Sequence, residues 1–185
     1  SNGVVPWAKI FDAVIGAVDQ GGRRRGAAAV YLPTWHADIG EFLEMRDATG
    51  SVDSRTRNLN IANWVPDEFM RRVDSDEPWT MFDPAVAPDL YDLYGDAFTS
   101  RYRQLESDGL GASVVSARTL YARMMRTLAE TGNGWMCWSD ATNTKSNQTG
   151  GDSVIHSSNL CVEITEVTSP GEVAVCNLAS INLAQ

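Results

Sequence analysis

Apolar residues Val4, Trp7, Ile10, Phe11, Val14, Ile15 and Val18 recur every three or four positions, the period of an amphipathic helix. Pro6 falls in its first turn, where a missing N–H is harmless. The run Asp19-Gln20-Gly21-Gly22 predicts its end, because glycine accepts a left-handed cap. From Gly26 to Leu32 the chain is apolar, short and closed by Pro33, which predicts a buried strand whose alanines leave room for a helix or ligand. A second helix is expected over residues 37–45, with Ile39, Phe42 and Leu43 on one face. After a polar loop, residues 59–65 alternate like another strand stopped by Pro66, and Asp67 is placed to cap a helix carrying Phe69, Met70 and Val73. Strand and helix thus alternate, the pattern of βαβ units around a mostly parallel sheet.

Farther along, prolines and acidic residues over 77–88 predict a surface excursion, followed by a helical stripe of Leu90, Leu93, Tyr94, Phe98, Tyr102 and Leu105. Ser116 is placed to cap a helix carrying Leu120, Tyr121, Met124, Met125 and Leu128, which Gly132-Asn133-Gly134 ends. Trp135-Met136-Cys137-Trp138 reads as a buried strand with Cys137 in the core. Residues 143–152 are polar and contain glycine, a loop able to reach a ligand. A turn at Thr168-Ser169-Pro170-Gly171 precedes a last apolar run over 173–183. No repeat or boundary divides the chain, so one α/β domain is expected.

Composition narrows the function classes. The 185 residues are 43% hydrophobic and 21% charged, as in soluble globular proteins. The net charge is −9 and the one dense basic run is Arg23-Arg24-Arg25, a solvated turn or a phosphate contact, which argues against a nucleic-acid polymer as partner. No apolar run approaches the ~18 residues of a membrane span, and with no basic-then-apolar stretch at Ser1-Asn2-Gly3 no secretory signal is expected. Cys137, Cys161 and Cys176 are odd in number and irregularly spaced, which fits a reducing cytoplasm. His36 and His156 lack metal-ligand spacing, so no metal site is expected. With no initiator Met, the chain is expected to be a piece of something longer.

The stretch Ser158-Asn159-Leu160-Cys161-Val162-Glu163 holds the candidate chemistry. If it is extended, Asn159, Cys161 and Glu163 project to one side and present an amide, a thiol and a carboxylate in a row. A cysteine in an apolar strand is ordinarily packing, but a core-facing row does not normally hold Asn and Glu together. The amide can orient a hydroxyl, the carboxylate can accept a proton, and the sulfur can face a carbon between them. Such a site suits a diol.

Residues 157–183, SSNLCVEITEVTSPGEVAVCNLASINL, resemble the catalytic finger-loop region of the class I ribonucleotide reductase large subunit. The resemblance extends through VDQGGRRRGAAAVYLPTWHADIGEFLEMRDATG, RTRNLNIANWVPDEFMRRV and ETGNGWMCWSDATNTKSNQ, in the family's order. It implies part of a ten-stranded α/β barrel of two five-stranded halves, with a central finger loop over about 155–168. By position it implies Cys161 as the thiyl radical that takes hydrogen from the ribose 3′ carbon, Glu163 as base for the 3′ hydroxyl and Asn159 as the amide on the ribose hydroxyls. Leu160 joins Asn159 and Glu163 in substrate binding. Cys176 matches one of the two reducing cysteines, its partner lying outside this chain, and Ser1, Asn2 and Gly3 match the edge of an effector loop.

The resemblance further implies ribonucleoside diphosphate substrates, a second large subunit, a small subunit whose dinuclear metal generates the radical, thioredoxin or glutaredoxin as reductant, and dNTP or ATP effectors. No cofactor is expected on this segment. The nucleotide-binding cone, upstream strands, phosphate loop and C-terminal tail are expected elsewhere in the subunit, so the segment alone is expected to be inactive. Three other readings are an adenosylcobalamin-dependent relative, a non-catalytic α/β interaction module, and a thiol hydrolase using His156 as base.

Overall fold

A strand buried along nearly its whole length, β2 (Leu59–Val65), organises the computed structural model, which describes residues 3–19, 21–148 and 153–184. It lies between β1 (Ala28–Pro33) and β5 (Trp135–Trp138) in a three-stranded parallel sheet of order β1-β2-β5. Val30 pairs with Ile61 and Trp64 with Cys137, so the register sets Tyr31, Trp64 and Cys137 across one face. Leu32, Ile61, Val65 and Met136 turn the other way into the main core. The alternation of strand and helix read from the sequence therefore does give a parallel sheet, as crossover connections require.

The main core is closed by α1 (Val4–Ala17), α2 (Ile39–Glu44), α3 (Asp67–Ser75), α4 (Gly95–Ser107) and α5 (Ala117–Thr131). Ser116 caps α5, accepting the Thr119 N–H, and Gly132 ends it in the left-handed region at φ 67°. Ile39, Phe42 and Leu43 of α2 are buried on one face, as their spacing predicts. Asp67 does not cap α3; Pro66 occupies that position, and the Asp67 N–H donates instead to Asp140 Oδ2 at 3.1 Å.

Helix α1 turns its apolar stripe outward. Trp7 and Phe11 are each 56% exposed, whereas Val5, Ala8 and Asp12 are buried. Asp12 Oδ1 accepts the N–H groups of Arg57, Asn58 and Leu59 at 2.9, 2.7 and 2.9 Å, and Asp38 Oδ2 accepts the Val4 N–H at 3.0 Å. Charge-assisted bonds to backbone donors are stronger than neutral ones, so a polar anchor orients the helix. Its apolar stripe is left to face outward.

Two other expectations need correction. The 77–88 stretch is no surface excursion: β3 (Pro78–Met81) pairs antiparallel with β4 (Ser113–Ser116), and Trp79 and Phe82 are wholly buried. Trp79 stacks on Tyr102 with ring centroids 4.4 Å apart, meets Phe69 edge-on, and donates Nε1–H to the Thr34 carbonyl at 3.0 Å. The polar loop expected from residue 143 also begins later, because α6 (Ser139–Lys145) continues through Asn143. Part of that expected loop, residues 149–152, lies outside the described residues. The stripe over 90–105 is split between a short 3-10 helix, Pro88–Asp92, and α4, where Gly95 takes φ 61°.

Candidate active site

The side-chain row across the sheet is covered by the segment that follows α6. Ile155 is fully buried against Trp64 and Cys137, with Tyr31, Val162 and Val167 packed around them. Asn143 fastens the segment's start: its Oδ1 accepts the Ile155 N–H at 2.8 Å and its Nδ2 donates to the Ile155 carbonyl at 3.0 Å. An amide that answers both backbone groups of one residue acts as a substitute strand partner. Gln148 Oε1 accepts the Val167 N–H at 2.7 Å and holds the far side.

Between these points the chain turns back. Asn159 Oδ1 accepts the Ile164 N–H at 3.1 Å, and the Ser158 hydroxyl donates to the Ile164 carbonyl. The Asn159 carbonyl accepts the Val162 N–H at 3.3 Å, which closes a turn over Leu160 and Cys161. Val162 sits at φ 74°, a left-handed conformation that is costly for a β-branched residue. Its packing against the Trp64 cluster helps hold it there. Residues 158–163 are therefore not extended, and the same-side row expected of Asn159, Cys161 and Glu163 is replaced by a hydrogen-bonded turn. Local side-chain bonds to backbone groups favour such turns over strand geometry.

The turn separates roles. Cys161 is a free, exposed thiol at its tip, and Glu163 is exposed one residue beyond Val162. Leu160 and Asn159 are half-buried, and Asn159 uses its Oδ1 within the loop. Its Nδ2 carries no protein hydrogen bond among the described residues, so it is the donor that can turn toward a ligand. Cys176, also free and exposed, lines a pocket of about 200 Å3 with Ser157, Ser158, Asn159, Ile164 and Glu166. The pocket brings Cys176 and Asn159 together; Cys161 lies outside its lining.

Beneath the turn, the Tyr31 hydroxyl donates to the Asn159 carbonyl at 2.7 Å. Burial pushes the Tyr31 phenol well above its usual range, with Cys137 and Glu163 adding to the rise. Burial likewise raises the Cys137 thiol, leaving it a protonated core group, as its apolar surroundings predict. His156 Nε2 bonds Asp92 Oδ1 at 2.8 Å and is committed to that pair. His36 is buried, and burial lowers its pKa. Arg23, Arg24 and Arg25 are exposed, as a solvated turn would be.

Ser1 and Asn2 lie outside the described residues, while Gly3, at φ 82°, precedes α1, whose first residue Val4 donates its N–H to Asp38. Among the described residues no cluster of three or more His, Cys, Asp or Glu is placed to hold a metal ion, and no helix is long and apolar enough to cross a membrane. Ser158 opens the candidate stretch, but its bond to the Ile164 carbonyl carries no sequence signal, and neither do the contacts of Tyr31 and Asn143 with this segment.

Residues 1–185 match the family model described as the ribonucleotide reductase barrel domain. The chain is 46% identical over 185 residues, its whole length, to a ribonucleoside-diphosphate reductase large chain of Neurospora crassa. It is 45% identical over 184 residues to the corresponding large chain of Schizosaccharomyces pombe, and 47% identical over 184 residues to the large subunit of Arabidopsis thaliana, covering 99% of this chain in each case. The match spans 20%, 23% and 22% of those three relatives, so the chain corresponds to about a fifth of their length.

Proposed function

Since this chain belongs to the ribonucleotide reductase barrel-domain family, we propose that it is a central segment of a ribonucleoside-diphosphate reductase catalytic subunit and carries the radical-bearing loop. The observation that supports this most directly is the closed turn with Cys161 exposed at its tip, tied across its base by Ser158, Asn159 and Ile164. A hydrogen-atom abstractor must approach one carbon closely. A short hydrogen-bonded turn offers that approach.

In this reading Cys161, as a thiyl radical, takes the hydrogen atom from the ribose 3′ carbon and becomes a thiol; the same hydrogen returns at the end and regenerates the radical. Glu163 accepts the 3′ hydroxyl proton, and Asn159 donates from Nδ2 to a ribose hydroxyl, its Oδ1 being spent on the loop. Leu160 lines the substrate. The 2′ hydroxyl leaves as water, and Cys176 with a cysteine elsewhere in the subunit supplies two electrons and ends as a disulfide. Separate cysteines suit these tasks, because the radical thiol is restored each cycle while the reducing pair must be renewed by exchange with thioredoxin or glutaredoxin.

The same reading makes the segment part of a ten-stranded barrel with residues 155–168 as its finger, and puts Gly3, with Ser1 and Asn2, at the edge of a loop answering dNTP or ATP effectors. A second large subunit completes the dimer. The radical originates on a small subunit carrying a dinuclear metal. A cytoplasmic location fits three free thiols. The test is ribonucleoside diphosphate reduction by the full-length subunit holding this segment, together with its small subunit. Wild type is expected to turn over and Cys161→Ser to lose all measurable reduction while still binding substrate. Turnover by the Ser variant would remove the radical role.

A further inference from the structure

We propose that Tyr31 is a positioning residue for Cys161, fixing the radical-bearing turn to the barrel sheet through the carbonyl of Asn159. The inference rests on the reading of Cys161 given above. Tyr31 stands on β1, and its hydroxyl donates to that carbonyl at 2.7 Å across a separation of 128 residues. The same phenol also meets the Ser158 side chain, so one residue of the sheet holds the loop at two adjoining positions.

The carbonyl it meets is also the one that closes the turn by accepting the Val162 N–H at 3.3 Å. Tyr31 therefore acts where the path of the backbone into Cys161 is decided. The ring is held edge-on against Trp64, with centroids 6.2 Å apart and planes at 80°, so the hydroxyl has a fixed origin. Burial keeps the phenol protonated and hence a donor throughout the working pH range. Val162 at φ 74° makes the arrangement demanding, because a strained turn persists only when its surroundings over-determine it.

Tyr31→Phe keeps the ring against Trp64 and deletes the hydroxyl, with its bond to the Asn159 carbonyl and its contacts with Ser158 and Cys137. In the full-length subunit it is expected to lower kcat roughly tenfold, since small misplacements of reacting atoms are costly. The deuterium isotope effect on kcat with 3′-deuterated ribonucleoside diphosphate is expected to rise, because hydrogen transfer is the step that slows. Thermal unfolding should stay at the wild-type temperature. A merely structural residue would change the amount of active enzyme without changing the isotope effect. A wild-type kcat, a wild-type isotope effect, or a large fall in Tm each overturns the assignment.

Cys161→Ser assayed in parallel separates the two possible failures. An inactive Cys161→Ser beside a wild-type-like Tyr31→Phe overturns Tyr31 alone. An active Cys161→Ser overturns the radical reading, and the role of Tyr31 falls with it.

Discussion

Glu68 shows how a single side chain can set an acid limit. It is wholly buried and accepts from Arg71, Arg72 and Arg103 at 3.1, 3.0 and 3.0 Å. Burial alone would raise its carboxyl; the hydrogen bonds from Arg103, Arg72 and Arg71 outweigh that and hold it below the ordinary value of 4.5. A depressed carboxyl contributes stability that is present above the unfolded pKa and lost as pH falls through the folded one. Thermal unfolding of the subunit from pH 7 to pH 3 is therefore expected to show a fall beginning near pH 4.5 that flattens in Glu68→Gln. At pH 7 the substitution is expected to cost about 1–2 kcal/mol, because Gln keeps one acceptor oxygen but loses the charge that Arg71, Arg72 and Arg103 share, while Arg72 retains Glu106. Equal slopes in the two proteins would remove Glu68 as the cause. Residues of this kind are hard to read from sequence, since Glu68 looks like any first-turn helix acid. Asn159, Cys161 and Glu163 stand out in the sequence because polar groups flank a thiol, yet their geometry does not: Val162 hides its left-handed backbone behind a strand-forming side chain. Tyr31 was read only as a strand aromatic, its partner lying 128 positions away.

At the scale of elements, local signals decided ends better than faces. Ser116 and Gly132 bracket α5 as their chemistry predicts, and Ser116→Ala is expected to cost about 1 kcal/mol of stability, read as a lower midpoint in denaturant. An unchanged midpoint would mean that β4, which ends in Ser116, fixes the helix start without the cap. Periodicity placed α1 correctly but could not say which face was inward, because Asp12 reaches backbone N–H groups of residues 57–59 that no spacing rule connects to it. Prolines and acids over 77–88 gave the signature of a surface stretch. A buried Trp79 between Phe69 and Tyr102 overrides that signature through ring contacts from two different helices.

For the whole molecule, the apolar surface is the dominant fact. Val173, Leu178, Ile181 and Leu183 are 87%, 85%, 87% and 92% exposed, and the outer face of α1 adds Trp7, Ile10 and Phe11. Exposed apolar residues in such number mark an interaction site or an aggregation liability. The 185-residue chain expressed by itself is expected to elute in size exclusion well above its 20.2 kDa and to bind a hydrophobic dye. A monodisperse, cooperatively melting monomer would contradict that. Among the described residues β1 and β5 each pair on one side only, so the parallel sheet has two open margins. In the language of step-growth chemistry such a chain is a monomer of functionality two: each copy can join one neighbour at either margin, so assemblies built through the sheet should lengthen rather than branch, and a blocker for one margin should act as a chain terminator.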